Sequence, residues 1–387
     1  MEPTAPQPAR ILVRGVNWLG DAVMTTPALV RLRGRFPSAE VTLLCHEKLA
    51  DLWTGHPAVD RVRTFRSKDS PWTTGRSLRR DRFDLAVLFP NSFRSGLEAF
   101  VARIPVRIGA SRGLRRLLLT HPVEPDPHAT PMRKRSLAEI RRLQSEPDRP
   151  PTVLPSASHQ IHHYLRLVAA AGASSEPLAP VLGMPPQELA AARSELFPED
   201  SGFPVLGLNA GAEYGAAKRW PVERFAEAAN RLFATTGCRV LVFGGPSDQQ
   251  LAQQLAARIH RAPTTVLAGR TSLRQLLSKL ACCDLLLTND TGPMHVAAAL
   301  GVPVVVPFGS TNPDLTGPGA PGDSHHALLR SPVACAPCFL RTCPAEFRCM
   351  DRIGVDAVVQ AAERILFRGT DPQAPRRTPP LQPGPGS

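Results

Sequence analysis

The sequence predicts an α/β protein built from two doubly wound parallel sheets, because short apolar segments alternate with helical patterns twice along the chain. The strands expected in the first half are Ile11–Gly15, Val41–Cys45, Val62–Phe65, Asp84–Phe89 and Arg107–Gly109. Those expected in the second half are Val205–Asn209, Arg239–Phe243, Thr264–Leu267, Asp284–Thr288 and Val304–Pro307. Apolar strands joined by helical crossovers form sheets covered on both faces, so each half predicts one Rossmann-like domain. The expected binding site is the central cleft between the domains, at the carboxyl ends of the strands.

The helices expected between these strands include Asp21–Gly34, Phe93–Ala102, Glu223–Thr235, Ser247–Ile259 and Ser272–Ala281. The resulting organisation is an N-terminal domain over residues 10–172, a linker region over 173–203, a second domain over 204–352 and a C-terminal helix over 353–368. A basic, proline-rich insertion at 122–155 is expected to interrupt the first domain. Enrichment in proline, glutamine and glycine predicts disordered tails at 1–9 and 369–387.

Basic residues outnumber acidic ones by 46 to 33, and the formal charge of +13 is concentrated in the first half of the chain. A positive charge of this size is typical of a protein that binds nucleic acid, an anionic membrane surface or a phosphorylated substrate. The alternative is an ordinary solvated surface. A nucleic-acid-binding module is disfavoured, because the chain has no helix-turn-helix pattern, RNA-binding aromatic signature or zinc-finger spacing. The chain has no run of eighteen apolar residues, and its first residues show no charged region followed by an apolar one. This pattern disfavours a signal peptide or a membrane span and predicts a cytoplasmic enzyme that contacts a membrane peripherally.

The most informative segment is residues 284–300, where an apolar strand leads through Asp290 into a helix. The first amides of such a helix carry partial positive charge, so Thr291 and Gly292 are expected to bind phosphate. Asp290 would face a ligand hydroxyl, and His295 would face an anion. The alternative is that Asp290 only caps the helix and His295 only packs in the core.

Two further strand ends in the second half carry candidate donor-binding residues. Gly211 belongs to a run of small residues that leaves space for a ligand, and Lys218 supplies a positive charge for a departing diphosphate. A lysine in a loop is otherwise usually just solvated. Asp248 follows two glycines at a helix start, where it would bind a ribose or sugar hydroxyl or cap the helix.

Two strand ends in the first half carry candidate acceptor-binding residues. Asn17 and Asp21 follow the first strand, and the Asp21 carboxylate at a helix start can accept a proton from an attacking hydroxyl or merely cap the helix. Asn91 and Ser92 follow the strand that ends at Phe89, where their polar side chains would bind a sugar or shape a turn.

Together these motifs resemble glycosyltransferase family nine, and within it the heptosyltransferases that act on lipopolysaccharide. The segments that carry the resemblance are Gly20-Asp21 with Thr26-Pro27-Ala28-Leu29, Pro90-Asn91-Ser92, Gly211-Ala212-Glu213-Tyr214-Gly215 with Lys218-Arg219-Trp220-Pro221, and Thr288-Asn289-Asp290-Thr291-Gly292 with Met294-His295. The resemblance spans roughly residues 10–365 and rests on the order and spacing of these segments.

The resemblance implies a GT-B fold, in which the first Rossmann-like domain binds the acceptor and the second binds the nucleotide sugar. It implies transfer of L-glycero-D-manno-heptose from ADP-heptose to a heptose of the lipopolysaccharide inner core at the inner leaflet, with inversion of the anomeric centre. Another acceptor or another nucleotide sugar is the alternative within the family. By the same resemblance Asp21 is the catalytic base, Lys218 contacts the donor phosphates, and Asp290 and His295 line the donor pocket. Fixed dipoles and a lysine can supply the electrostatics, so no cofactor is required for catalysis.

The eight cysteines fall into two groups. Cys45, Cys238, Cys282 and Cys283 lie in or beside predicted core elements and are expected to behave as small hydrophobes. Cys335, Cys338, Cys343 and Cys349 cluster in one segment, residues 335–349, which is called the cysteine loop below. Four soft ligands at this spacing suit a structural zinc ion or, as an alternative, an iron–sulfur cluster; reduced thiols or an occasional disulfide are the other possibilities.

Overall fold

The computed structural model describes residues 7–199 and 202–368. These residues divide into two compact units. The first unit contains residues 7–129 and 158–183, and the second contains 130–157 and the described residues from 184 onward. The disorder expected for residues 1–9 and 369–387 falls mostly outside the described residues. It is wrong for Ala9, whose backbone N–H donates to Asp84 Oδ2 at 2.9 Å. No helix in the described part of the chain has the length and apolar character that crossing a membrane requires.

The α-helices of the described residues are, in chain order, α1 (Leu19–Met24), α2 (Thr26–Arg35), α3 (Pro71–Leu78), α4 (Phe93–Val101), α5 (Leu137–Gln144), α6 (Ile161–Ala169), α7 (Pro186–Leu196), α8 (Val222–Thr236), α9 (Gln249–Arg258), α10 (Leu273–Ala281), α11 (Gly292–Ala299), α12 (Pro313–Thr316), α13 (Arg348–Asp351) and α14 (Val355–Arg368). Most of them connect one strand to the next, as the alternating sequence pattern requires.

The first unit contains a parallel sheet of six strands among its described residues. They are β1 (Arg10–Arg14), β2 (Glu40–His46), β3 (Arg61–Phe65), β4 (Leu85–Leu88), β5 (Val106–Ala110) and β6 (His121–Val123). Their spatial order is β3-β2-β1-β4-β5-β6, so the winding direction reverses between β1 and β4. Doubly wound sheets bind ligands at the carboxyl ends of the strands beside such a reversal. Asp21 lies on the helix that follows β1, and Asn91 lies in the loop that follows β4.

The second unit repeats this construction with β7 (Val205–Asn209), β8 (Arg239–Val242), β9 (Thr264–Val266), β10 (Leu285–Thr288), β11 (Val304–Phe308) and β12 (Ala327–Arg330). In the described residues their order is β12-β11-β10-β7-β8-β9, and the winding reverses between β7 and β10. One core cluster joins apolar residues of β7, β8 and β10 to residues of α8 and α14. The predicted α/β class with two parallel sheets is therefore confirmed.

The predicted helix Asp21–Gly34 is divided into α1 and α2. Pro27 has no backbone N–H, so it cannot donate to the carbonyl oxygen of Val23 four residues earlier. The Thr26 hydroxyl donates to that oxygen instead, with an Oγ1 to O distance of 2.8 Å. The proline therefore interrupts a helix that the apolar pattern alone predicts as continuous.

Two edge strands, β6 and β12, are not among the strands that the sequence predicts. Pro122 lies in β6 opposite Gly109 of β5. Proline cannot donate to the hydrogen-bond ladder and is tolerated at a sheet edge. β12 is half-buried along its whole length, and its apolar run, Ala327-Leu328-Leu329, has only three residues.

The linker region and the insertion are also organised differently from the prediction. Residues 173–183 belong to the first unit, whereas α7 belongs to the second. The predicted insertion at 122–155 is divided, because residues from 130 onward pack on the second unit. There the backbone N–H groups of Arg135 and Arg149 donate to the carbonyl oxygens of Cys338 and Pro332, at 3.0 and 2.9 Å. These hydrogen bonds satisfy backbone groups of a segment with little secondary structure of its own.

A buried ion pair connects β1 to α4 in the first unit. Arg14 Nε donates to Glu98 Oε2 at 2.8 Å, and the two side chains are 2% and 1% exposed. Arg94 Nε donates to the other carboxylate oxygen, also at 2.8 Å. The Arg14 guanidinium additionally lies 4.1 Å from the centroid of the Phe65 ring. Burial lowers the pKa of Arg14, and the attraction of Glu98 opposes this shift.

Replacing Glu98 with Gln should lower the free energy of unfolding by about 3 kcal/mol, because the buried Arg14 guanidinium loses its counter-charge. Equilibrium urea denaturation measures the change. Glu47→Gln is the matched control, since Glu47 pairs with Arg66 at 2.9 Å but both side chains are about half exposed. For this control we expect a change within about 1 kcal/mol. Equal losses in the two variants would contradict the role given to the buried pair.

Candidate active site

The loops after β7 and β10 are tied together at the reversal of strand order in the second unit. β7 and β10 pair in parallel, so their carboxyl ends lie side by side. Asn289, which follows β10, is fully buried. Its Oδ1 accepts the backbone N–H of Trp220 at 2.9 Å, and its Nδ2 donates to the carbonyl oxygen of Ala210 at 2.8 Å. The loop that carries Lys218 is thereby fixed beside the start of α11.

Lys218 and Asp290 form an ion pair at this position. Lys218 Nζ lies 2.6 Å from Asp290 Oδ2, and the side chains are only 13% and 5% exposed. The Thr311 hydroxyl donates to the same oxygen at 2.6 Å. An ammonium group has three donors, so Lys218 can contact a phosphate while the carboxylate orients it. The structure therefore brings together the predicted phosphate-binding lysine and the predicted donor-pocket acid.

Helix α11 begins directly after Asp290. Its N-cap residue is Thr291, whose side chain makes no capping hydrogen bond, and Gly292 is the first helical residue. Asp290 is therefore not the cap, because it precedes Thr291 and its carboxylate contacts Lys218 instead. His295 is buried in the helix, at 5% exposure. This burial agrees with the alternative that His295 only packs in the core. Anion binding by His295 stays a prediction.

Gly211 and Asp248 lie against each other in the same unit. A Cβ atom at position 211 would be 2.5 Å from Asp248 Oδ2, so only glycine fits beside this carboxylate. Asp248 Oδ2 accepts the backbone N–H of Gly245 at 3.1 Å, and its Oδ1 lies 3.7 Å from a guanidinium nitrogen of Arg219. Asp248 is the N-cap residue of α9 by position, but its side chain makes no capping hydrogen bond to that helix. Its contact with a sugar hydroxyl stays a prediction.

Tyr214 connects the Lys218 loop to the cysteine loop. The centroid of its ring lies 4.9 Å from Lys218 Nζ and 5.2 Å from the guanidinium carbon of Arg341. The Tyr214 hydroxyl donates to the carbonyl oxygen of Phe339 at 2.9 Å. The backbone N–H of Ala217 donates to the carbonyl oxygen of Arg341, also at 2.9 Å. The cysteine loop therefore supports the backbone on which Lys218 is held.

In the first unit, Asp21 lies in the first turn of α1, beside the reversal of strand order. The N-cap residue is Trp18 and Asp21 is the third helical residue, so both the capping alternative and the role as a base stay predictions. The buried phenol of Tyr164 on α6 is close to this carboxylate. Burial and then the negative charge of Asp21 raise the pKa of Tyr164 well above its ordinary value. The phenol of Tyr164 is therefore held in its protonated, uncharged form.

The three candidate acceptor residues lie in the loops after β1 and β4. Asn17 is exposed, and its Oδ1 is 3.4 Å from Nη1 of Arg14. Ser92 is the N-cap residue of α4, where its Oγ accepts the backbone N–H of Ser95 at 3.3 Å. This contact agrees with the turn-shaping alternative for Ser92. Asn91 is exposed beside it, and acceptor binding by these three side chains stays a prediction.

The four cysteines of the cysteine loop line one small cavity of about 20 Å³. Burial raises the pKa of the Cys335 and Cys338 thiols, and it raises that of Cys349 to about 12. Within the residues that the structure describes, no group of three or more His, Cys, Asp or Glu side chains is arranged to hold a metal ion. A zinc ion or an iron–sulfur cluster held by Cys335, Cys338, Cys343 and Cys349 stays a prediction. The other four cysteines are buried.

Sequence reasoning did not identify Tyr164, Thr311 or Arg341 as neighbours of the candidate site residues. The composition held one indication of Tyr164, because the chain has only two tyrosines. One of them lies near Asp21 and the other lies near Lys218. Thr311 and Arg341 belong to no motif, and only the folded chain shows their contacts.

Comparison with solved structures identifies the class of protein. The structure of Escherichia coli ADP-heptose lipopolysaccharide heptosyltransferase II superposes with a TM-score of 0.74 and 26% identity, covering 93% of this chain and 99% of that chain. A family 9 glycosyl transferase from Veillonella parvula superposes with a TM-score of 0.75 and 24% identity, covering 93% and 97%. The fold is that of these glycosyltransferases, and the expected GT-B class is confirmed.

Sequence comparison identifies the family. Lipopolysaccharide heptosyltransferase 2 of Salmonella typhimurium is 30% identical to this chain over 324 residues, which cover 80% of this chain and 85% of the relative. The profile of glycosyltransferase family 9 (heptosyltransferase) matches residues 72–347. The chain belongs to glycosyltransferase family 9.

Replacing Gly215 with Ala should lower the free energy of unfolding by more than about 1 kcal/mol. Gly215 has a φ of +155°, and a Cβ atom there would clash with the carbonyl oxygen of Arg341. Because that oxygen accepts the N–H of Ala217, the clash also displaces the loop that carries Lys218. Urea denaturation measures the loss. Gly354→Ala is the control, since no atom lies within 4 Å of a Cβ built at that position. A Gly215→Ala variant as stable as this control would show that the loop is not constrained as described.

Proposed function

We propose that this chain transfers L-glycero-D-manno-heptose from ADP-heptose to a heptose of the lipopolysaccharide inner core. The observation that carries the proposal is the Lys218–Asp290 ion pair beside the start of α11. It lies at the reversal of strand order, which is where doubly wound sheets bind nucleotides. The relatives support the choice of sugar and acceptor, because they include lipopolysaccharide heptosyltransferases 2 and a structure named for ADP-heptose.

The second unit supplies the donor site in this proposal. Lys218 and the first backbone N–H groups of α11, those of Thr291 and Gly292, bind the diphosphate of ADP. Asp290 holds the lysine in position before the reaction, so little reorganisation is needed when negative charge develops on the leaving group. Gly211 leaves room beside Asp248, whose carboxylate binds a hydroxyl of the donor.

The reaction is a single displacement at the anomeric carbon of the heptose. The acceptor hydroxyl oxygen forms a bond to this carbon while the bond from the carbon to the diphosphate oxygen breaks. Asp21 takes the proton of the hydroxyl and becomes a neutral carboxylic acid. ADP leaves with the electron pair of the broken bond, and Lys218 stabilises the added charge. Attack opposite the leaving group inverts the anomeric centre.

The first unit supplies the acceptor site. Asn17, Asn91 and Ser92 lie in the two loops beside the Asp21 helix, at the carboxyl ends of β1 and β4. The basic surface of this unit suits the phosphate groups of a lipopolysaccharide core. We place the protein at the cytoplasmic face of the inner membrane, which it contacts peripherally.

ADP release from ADP-heptose tests the reaction directly. The purified chain is offered two truncated lipopolysaccharide cores, one that already carries a heptose and one that carries none. We expect ADP release only with the heptose-bearing core. Release only with the heptose-free core would assign the chain to the first heptose transfer instead, and release with neither would contradict the proposal.

Replacing Asp21 with Asn should lower kcat by at least about 100-fold, because the amide keeps the shape of the side chain but cannot accept the proton. The affinity for ADP should not change, since the donor site lies in the other unit. Steady-state ADP release and calorimetric titration with ADP measure the two quantities. A folded Asp21→Asn variant with near-normal turnover would show that another group is the base.

Catalysis should be independent of added metal, because Lys218 and the α11 amides supply the positive charge that the leaving group needs. Dialysis against EDTA should leave turnover unchanged, and a loss that magnesium restores would contradict this.

Metal analysis of protein purified without added zinc tests the cysteine loop separately. About one equivalent of zinc per chain would support a zinc site formed by the four cysteines. Less than about a tenth of an equivalent would contradict such a site.

A further inference from the structure

Two leucines protrude from the first unit close to its proposed acceptor loops. Leu114 and Leu117 are 75% and 77% exposed, which makes them the most exposed large apolar side chains in the described part of the chain. They belong to the 3₁₀-helix Gly113–Leu118, which follows β5. A 3₁₀-helix has three residues per turn, so residues three apart lie above one another. Leu114 and Leu117 therefore form one row on the same face, called the leucine row below.

The opposite face of this short helix is anchored to the sheet. Arg115 is 2% exposed, and its Nη2 donates to the carbonyl oxygen of Pro90 at 2.9 Å. Its Nη1 donates to the carbonyl oxygen of Ala110 at the end of β5. Burial lowers the pKa of this guanidinium to about 10. Leu118, three residues after Arg115, packs beside Gly96 of α4. The leucine row is exposed because the buried Arg115 and the half-buried Leu118 hold the other side of the helix against the sheet and α4.

The surface around the leucine row is basic. Residues 103–116 contain no acidic residue, and three of their five arginines, Arg103, Arg112 and Arg116, are exposed. Arg112 at the start of the helix is exposed, and Arg116 within it is 63% exposed. Arg116 pairs with Glu124 at 3.3 Å, but both side chains are mostly in solvent, so the pair is readily exchanged for another anion. Apolar side chains flanked by arginines are the combination that binds the headgroup region of an anionic bilayer.

The position of the row supports the same partner. The loops after β1, β4 and β5 all begin at the carboxyl ends of the strands, which lie on the same side of the sheet because the strands are parallel. Arg115 contacts Pro90, which directly precedes the candidate acceptor residue Asn91. A lipid-linked acceptor is anchored in a membrane, so its sugar reaches the enzyme only if this edge of the first unit lies near the bilayer.

We propose that the leucine row, with Arg112 and Arg116, is a docking surface for anionic phospholipid that holds the enzyme over its membrane-anchored acceptor. The leucines enter the boundary between headgroups and acyl chains, and the arginines contact lipid phosphates. The choice of a membrane rather than a protein partner rests on the proposed function, because that function requires a lipid-linked substrate.

Vesicle flotation with the full chain tests the surface. We expect binding to phosphatidylethanolamine vesicles that contain phosphatidylglycerol, and weak binding to vesicles without it. Leu114→Ser/Leu117→Ser should weaken binding at least about tenfold, since two apolar contacts with the bilayer are lost. Leu137→Ser is the matched control, because Leu137 is also exposed, at 55%, but lies in the second unit. Unchanged binding in the double variant, or no binding by the unaltered chain, would overturn the docking surface.

A second measurement separates this proposal from the proposed function. With a deacylated, water-soluble core acceptor the double variant should release ADP at the normal rate, because neither leucine touches the reacting groups. With an acceptor embedded in phosphatidylglycerol-containing vesicles its rate should fall in proportion to the lost binding. A normal rate on embedded acceptor would overturn the docking surface while leaving the transferase activity intact. Vesicle binding by a chain inactive on every acceptor would instead contradict the proposed function alone.

Discussion

The ion pair between Lys218 and Asp290 is the contact on which the donor site depends. Both side chains are largely withdrawn from water, so neither charge is tolerated without the other. The pair is fixed by β7 and β10, which are adjacent because the winding of the second sheet reverses between them. Asn289 ties the two loops together through the backbone groups of Trp220 and Ala210. The strand order thus places a positive charge next to the first amides of α11.

The first unit follows the same plan with a charge of the opposite sign. Its sheet reverses between β1 and β4, and Asp21 stands on the helix that follows β1. Behind it, Arg14 at the end of β1 is neutralised by Glu98 of α4. A carboxylate at one reversal and an ammonium group at the other are the two charges that an inverting sugar transfer needs, one to accept a proton and one to stabilise the leaving diphosphate.

The sequence was sufficient to locate the strand ends, because each central strand is a short apolar run that stops at polar or small residues. Val205–Asn209 has the predicted bounds, and Lys218 and Asp290 were both identified as candidates. Their pairing was not predicted, since it depends on β7 lying next to β10. Thr311 follows β11 and Tyr164 lies on α6 of the first unit, and their contacts likewise depend on which elements the fold brings together. Residues 130–157 contain one short helix, α5, with an apolar spacing, and outside it their place on the second unit is set by hydrogen bonds to distant loops.

A crystal structure of the full chain with ADP bound tests the central claim most directly. The account predicts that diphosphate oxygens lie about 3 Å from Lys218 Nζ and from the backbone nitrogens of Thr291 and Gly292. Asp290 should still contact the lysine from its other side. A diphosphate bound elsewhere, with the Lys218–Asp290 pair untouched by the nucleotide, would contradict the account.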